Sequence, residues 1–204
     1  MLAPSKIVCI GRNYREHARE MGNDVPKEPL FFLKAPSSII AAGENIVLPA
    51  GSSHVEFEGE IAVILGSRLR KASEAQARAA VTHVVALNDV TARDWQKADG
   101  QWTRAKGCDT FCPIGDPVPA PADLDAIRLV TRVNGEICQQ ATGADMVFSV
   151  PMVLAYISQY ITLEPGDIIA TGTPAGTKAL HAGDVVEVEL VGLSSVSNPV
   201  ASAS

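Results

Sequence analysis

The stretch "AIRLVTRVNGEICQQ" (126–140) constrains the fold more tightly than any other part of the chain. Two runs of alternating apolar and polar residues flank Asn134-Gly135, a dipeptide suited to the positive-φ positions of a tight hairpin turn. An antiparallel strand pair is therefore expected here. Several other runs also read as strands: "KIVCIG" (6–11), "PLFFLKAP" ended by Pro36, "EIAVILG" (60–66), "VTHVVALNDV", and the pair "PGDIIATGTP" and "AGDVVEVELVG", each entered by a Gly-Asp turn. Helices are few. "NYREHAREM" is helical in composition, with Asn13 placed to cap it and Gly22 to stop it. "SEAQARAA" opens with a Ser73–Gln76 capping box, and "SVPMVLAYISQYI" carries Pro151 in its first turn. Regular βαβ alternation is absent. The expected class is α+β, predominantly mixed β, with helices at its edges.

The bulk properties narrow the function. A chain of 204 residues with 47% hydrophobic content is sized for one domain with a substantial core, expected to span 1–204. A formal charge of −6 offers no basic footprint for nucleic acid. No apolar run reaches the roughly 20 residues of a membrane span. The opening "MLAPSKIVCIG" is too short in apolar residues for a secretory signal, so the default expectation is cytoplasmic. Cys9, Cys108, Cys112 and Cys138 lack zinc-site spacing and read as reduced, buried thiols. The four histidines lack it too, so any metal should be held by oxygen.

Acids supply that possibility. "HVEFEGEIAVI" sets glutamates at 56, 58 and 60, and residues two apart share one face of a strand. Such a ladder is either a charged edge that resists aggregation or a cation site. Its direct run into "IAVILG" brings Glu60 toward the interior, where a carboxylate needs a partner. Asp89 follows the apolar "VVAL", either as a helix N-cap for "VTARDWQ" or as a functional group at the end of a core strand. Two glutamates and an aspartate suit Mg²⁺ or Mn²⁺. His17 and Glu20, three apart in "GRNYREHAREMG", lie on one helical face; spacing alone also fits a solvated surface pair.

Taken in order, "GRNYREHAREMG", "PLFFLKAPSS", "VEFEGEIAVILG", "NDVTARDWQ", "RAKGCDTFCPIG", "RVNGE" and "LEPGDIIATGTPAG" resemble the fumarylacetoacetate hydrolase superfamily, especially its short acylpyruvase and fumarylpyruvate hydrolase-like branch. The resemblance runs from about residue 6 to 198 and implies a β-roll of mixed sheets with a short N-terminal lid helix, usually dimeric. It implies that Glu58, Glu60 and Asp89 hold the divalent metal, that His17 and Glu20 sit on a lid (about 12–26) and activate water, and that Lys106 stabilises oxyanion charge. Gln96, Thr173 and Arg12 fall at substrate-contacting positions, whereas Glu56 stays outside the ligand set. The chain then begins almost at the catalytic core, without the N-terminal domain of larger relatives, and its end (about 199–204) is expected to fray. Cys108 stands where many relatives carry a bulkier residue.

The chemistry implied is hydrolysis of a C–C bond in 2,4-dioxo acids such as acetylpyruvate or fumarylpyruvate. Metal and Lys106 would stabilise a pyruvate enolate while the His17–Glu20 dyad drives water onto the C4 carbonyl. The same electron sink serves oxaloacetate decarboxylation or tautomerisation, or isomerisation of 2-hydroxyhepta-2,4-diene-1,7-dioate. A non-catalytic, metal-stabilised binding module is the alternative from another class. The dyad favours hydrolysis, because an isomerase need not activate water.

Overall fold

The computed structural model of this chain describes residues 3–22 and 24–203. Strands dominate. One six-stranded sheet has the order Val118–Pro119, Val81–Asn88, Gly59–Leu65, Ile168–Ala170, Ile7–Gly11, Leu30–Lys34. All its pairings are antiparallel except that between Ile7–Gly11 and Ile168–Ala170. A five-stranded sheet follows the order Glu136–Thr142, Arg128–Val133, Val185–Leu190, Ser194–Ser202, Ile46–Leu48, and only its last pairing is parallel. The α+β class with mostly mixed β structure is borne out.

The apolar runs are continuous because the six-stranded sheet is buried on both faces. From Gly59–Leu65, the side chains of Ile61, Val63 and Leu65 enter a core shared with Leu129, Val188 and Val196 of the other sheet and with the Val150–Tyr160 helix. Ala62 and Ile64 point the opposite way, into a smaller cluster with Cys9, Leu87 and Cys112. Glu60 has the parity of Ala62, and Asp89 that of Leu87. Period-two alternation thus aims both carboxylates at the second cluster.

The hairpin forms as expected. Asn134 (φ 53°) and Gly135 (φ 82°) both take positive φ between Arg128–Val133 and Glu136–Thr142. The Ser73–Gln76 capping box is present in full, and all four cysteines are free, although only Cys9 and Cys112 are fully buried.

Four expectations are corrected. Asn13 does not cap the first helix, Arg15–Glu20, whose N-cap is Tyr14. Its amide is instead buried, donating to Phe148 O (3.1 Å) and Thr171 O (2.8 Å) and accepting from Phe148 N (2.8 Å). The glutamates do not share one continuous strand. Val55–Glu56 pairs with Thr91–Ala92, and a new strand begins at Gly59, so Glu56 stays outside the group that Glu58 and Glu60 form with Asp89. Asp89 is no N-cap; the next helix starts at Arg93, capped by Ala92. The chain end does not fray from residue 199, because Ser194–Ser202 pairs on both sides with Val185–Leu190 and Ile46–Leu48. Asn23, inside the expected lid segment, and Ser204, inside the expected frayed end, lie outside the described residues. No helix among the described residues is long and apolar enough to cross a membrane.

Candidate active site

Glu58, Glu60 and Asp89 meet where two neighbouring strands end. The pairing Gly59↔Asn88 and Glu60↔Leu87 sets the register, and Asp89 N donates to Glu58 O at 2.8 Å. One carboxylate oxygen from each of the three acids lies within 4.8 Å of the others, and all three residues are buried. Neighbouring polar groups hold this geometry. Asn88 Oδ1 accepts from Glu58 N (2.9 Å), and the Gln139 amide accepts from Gly59 N (3.0 Å) while donating to Thr173 Oγ1 (2.8 Å).

Three buried or nearly buried cations surround the acids. Lys106 Nζ bridges Glu58 Oε2 and Asp89 Oδ2, both at 2.7 Å. Arg93 Nη2 lies 2.6 Å from Glu58 Oε1, and its Nε lies 2.7 Å from Glu56 Oε2. Lys34 Nζ meets Asp89 Oδ1 at 2.6 Å and donates to the carbonyls of Val90 and Lys106. Burial alone would raise the Glu58 pKa, but Lys106 and Arg93 overcome it and hold the carboxyl at about 2. Glu60 is different. Burial, then the Asp89 and Glu58 charges beside it, push its pKa well up. It makes no ion pair among the described residues and has only the Gly172 N–H donating to Oε2 at 2.7 Å.

Gly172 is required there. Its φ of +103° is costly for other residues, and an added Cβ would meet the Asn13 Cβ at 2.8 Å.

The donor set fits a hard divalent cation. Three oxygens converge, and the least compensated of them, on Glu60, would gain the positive charge it lacks.

A cavity of about 490 Å³ opens over this cluster, lined by Glu58, Lys106, Arg93, Gln96, Thr173, His17 and Arg12 among others. Six residues picked from the sequence (Arg12, His17, Glu58, Gln96, Lys106 and Thr173) thus share one cavity, while Glu60 and Asp89 lie behind its wall. His17 is buried on the first helix, its Nδ1 3.1 Å from Glu20 Oε2. Glu20 accepts in turn from Gly176 N at 3.1 Å. The solvated-surface alternative for this pair is therefore excluded for the imidazole.

Sequence reasoning missed Lys34, Arg93, Phe32 and Trp102. Arg93 carried a usable signal: it lies four residues beyond Asp89 in "DVTAR", directly after the strand end. A lone lysine closing "LFFLK" carried a weaker one, because a cation at the inner end of an apolar run needs a buried counter-charge.

Mixed sheets, a buried carboxylate–lysine cluster with oxygen donors suited to a cation, and a cavity above it make up the candidate site. The sequence pattern of the fumarylacetoacetate (FAA) hydrolase C-terminal family matches residues 6–201. The chain belongs to the fumarylacetoacetate hydrolase family. It is 40% identical over 209 residues to a mitochondrial oxaloacetate tautomerase of Bos taurus, spanning 97% of this chain and 67% of the relative. Among solved structures, 2-hydroxyhepta-2,4-diene-1,7-dioate isomerase from Mycobacterium marinum superposes with a TM-score of 0.90 at 42% identity, covering 99% of this chain and 76% of the other. 5-Carboxymethyl-2-hydroxymuconate delta-isomerase from Mycobacterium smegmatis superposes at 0.92 with 38% identity, covering 100% and 81%. These three relatives are named for tautomerase and isomerase activities, and none of the three names describes a C–C hydrolase.

Proposed function

We propose that this protein catalyses keto–enol tautomerisation or isomerisation of 2-oxo acids of the oxaloacetate type, assisted by Mg²⁺ or Mn²⁺ held by Glu58, Glu60 and Asp89. The observation that carries the reading is Lys106, whose ammonium sits between Glu58 and Asp89 and lines the cavity. In the reaction a C3–H bond breaks, its electron pair forms C2=C3, and the C2 oxygen takes up the displaced charge and then a proton. Lys106 and Arg93 are the cations that meet an oxygen arriving at that wall. When bound, a divalent ion adds Lewis-acid polarisation of the oxo-acid head. Glu20 orients the imidazole through the 3.1 Å contact with its Nδ1, and His17 takes the C3 proton and returns it to oxygen. Gln96 and Thr173, which line the same cavity, fix the head in place. The names of the relatives support the same reading.

One observation favours a second reading, C–C hydrolysis of a 2,4-dioxo acid: the intact His17–Glu20 pair at the cavity. There His17 takes a proton from water as it adds to C4, the C3–C4 bond breaks toward C2=C3, and the C2 oxygen again carries the charge to Lys106.

Purified protein with Mg²⁺ decides between them. Faster interconversion of oxaloacetate enol and ketone, with acetylpyruvate and fumarylpyruvate left intact, supports the first reading. Cleavage of either acylpyruvate replaces it with the second. If neither occurs, both fail.

A further inference from the structure

The cations around the acid cluster are all matched to carboxylates, and two others that line the cavity are not. Lys106 is held by Glu58 and Asp89, Arg93 by Glu56 and Glu58, and Lys34 by Asp89. Arg104, on the Thr103–Gly107 helix, is tied to Asp99 at 2.6 Å. Arg12 and Lys97 also line the cavity, yet neither side chain has an ion-pair or hydrogen-bond partner among the described residues. We propose that Arg12 and Lys97 form an outer anion subsite that binds the distal carboxylate of a dianionic oxo acid; this rests on the reading of the inner site as an oxo-acid head site.

Their placement supports this. Lys97 follows Arg93 by four residues on the Arg93–Asp99 helix, about 6 Å along the axis and on the same face. Arg93 faces the buried acids, whereas Lys97 is exposed at the other end of that turn. Arg12 takes φ +60°, a conformation uncommon for a residue that is not glycine. The three buried hydrogen bonds of Asn13 hold it in that strained turn, as is common at ligand-contacting positions. The cavity lining also carries apolar side chains. Ile10, Met21 and the edge-to-face pair Phe32–Trp102, 5.2 Å between ring centroids, suit a short hydrocarbon segment better than a second charge. A ligand with one anionic group at each end and carbon between matches this set of lining groups. A monoanion leaves both outer cations unused.

Calorimetric titration of the Mg²⁺-loaded protein tests the subsite with three probes. Oxalate reports the head site alone; 2-oxoadipate and 2-oxohexanoate share a six-carbon chain, and only the former has a distal carboxylate. The expected result is that 2-oxoadipate binds about tenfold or more tightly than 2-oxohexanoate, the gain of a charge-assisted contact. The ratio should fall toward one in Lys97→Met, and further in the Arg12→Met, Lys97→Met double variant, with oxalate affinity unchanged. A ratio near one in the wild type, or one retained in the double variant, overturns the subsite while leaving the head site intact. Loss of oxalate affinity in Lys97→Met also overturns it, since that residue would then serve the head. Failure of oxalate to bind the wild type sinks the oxo-acid reading itself, and the subsite with it.

Discussion

Lys34 shows how much the centre depends on residues that need not touch a substrate. Its ammonium is buried, and it joins Asp89 to the backbone carbonyls of Val90 and Lys106, so one side chain aligns an acid of the cluster with the segment that carries Lys106. Lys34→Met would leave Asp89 with a single cation, and breaking a buried pair from one side costs about 3–5 kcal/mol. Chemical denaturation should register that loss. Lys106→Ala tests a different role: turnover is expected to drop about 10²–10³-fold, the usual effect of deleting one donor to developing oxyanion charge. Steady-state kinetics should place the loss mainly in kcat. The sequence carried Lys106 only through family resemblance, whereas Glu58 and Glu60 stood out by their spacing, because period-two alternation is local and ion pairing across 48 or 55 residues of chain is not. Lys34 and Arg93 escaped for that reason: the sequence marks each as a cation beside an apolar run, and its partner is fixed only once Asp89 and Glu58 are known to face it.

At the scale of elements, the strands were readable wherever apolar runs or turn residues marked them, and the errors cluster where tertiary partners override local signals. Asn13 has a good capping side chain, but three buried backbone groups around it, Phe148 O, Phe148 N and Thr171 O, bond to its amide instead. Pro199 and the small polar residues near it look like a loose tail, yet pairing on two sides makes them strand. Asp167 shows the same principle in the parallel pairing of Ile7–Gly11 with Ile168–Ala170. Its fully buried carboxylate accepts from Glu164 N (2.8 Å), Lys6 N (3.1 Å) and Ser5 Oγ (2.7 Å), so it pins the entry of both strands. Burial by itself would raise its pKa, but those donors and the Lys6 ammonium lower it. A lowered folded pKa gives stability that is complete above the unfolded value of about 3.9 and declines as pH falls through the folded one. Asp167→Ala should therefore cost about 1–3 kcal/mol at pH 7, the penalty of leaving buried donors unmatched. The gap between variant and wild type should narrow in acid below about pH 4, when unfolding midpoints are compared across pH.

At the scale of the whole molecule, the acid cluster exerts a tension that a cation would relieve. Glu58 and Asp89 share the charges of Lys106, Arg93 and Lys34, while Glu60 faces both carboxylates with one backbone N–H for company. The cluster joins the Gly59–Leu65 strand to the end of Val81–Asn88, two neighbours in the central sheet, so repulsion there acts on the fold as well as on the site. A ligand that binds only the folded form stabilises it by about 2.7 kcal/mol at a hundred times its Kd. Mg²⁺ or Mn²⁺ should accordingly raise the melting temperature, and a chelator should reverse the rise. Glu60→Gln separates electrostatic relief from general packing, because it keeps the side-chain shape and an oxygen for the Gly172 N–H while removing one negative charge. In the absence of divalent ions this variant should melt at or above the wild type, since a neutral amide feels no repulsion from Asp89 and Glu58. With ions added, its melting temperature should hardly move while that of the wild type climbs, so the two curves cross. If the variant instead melts well below the wild type without metal and gains as much as the wild type from it, Glu60 serves packing, and the ion binds without it.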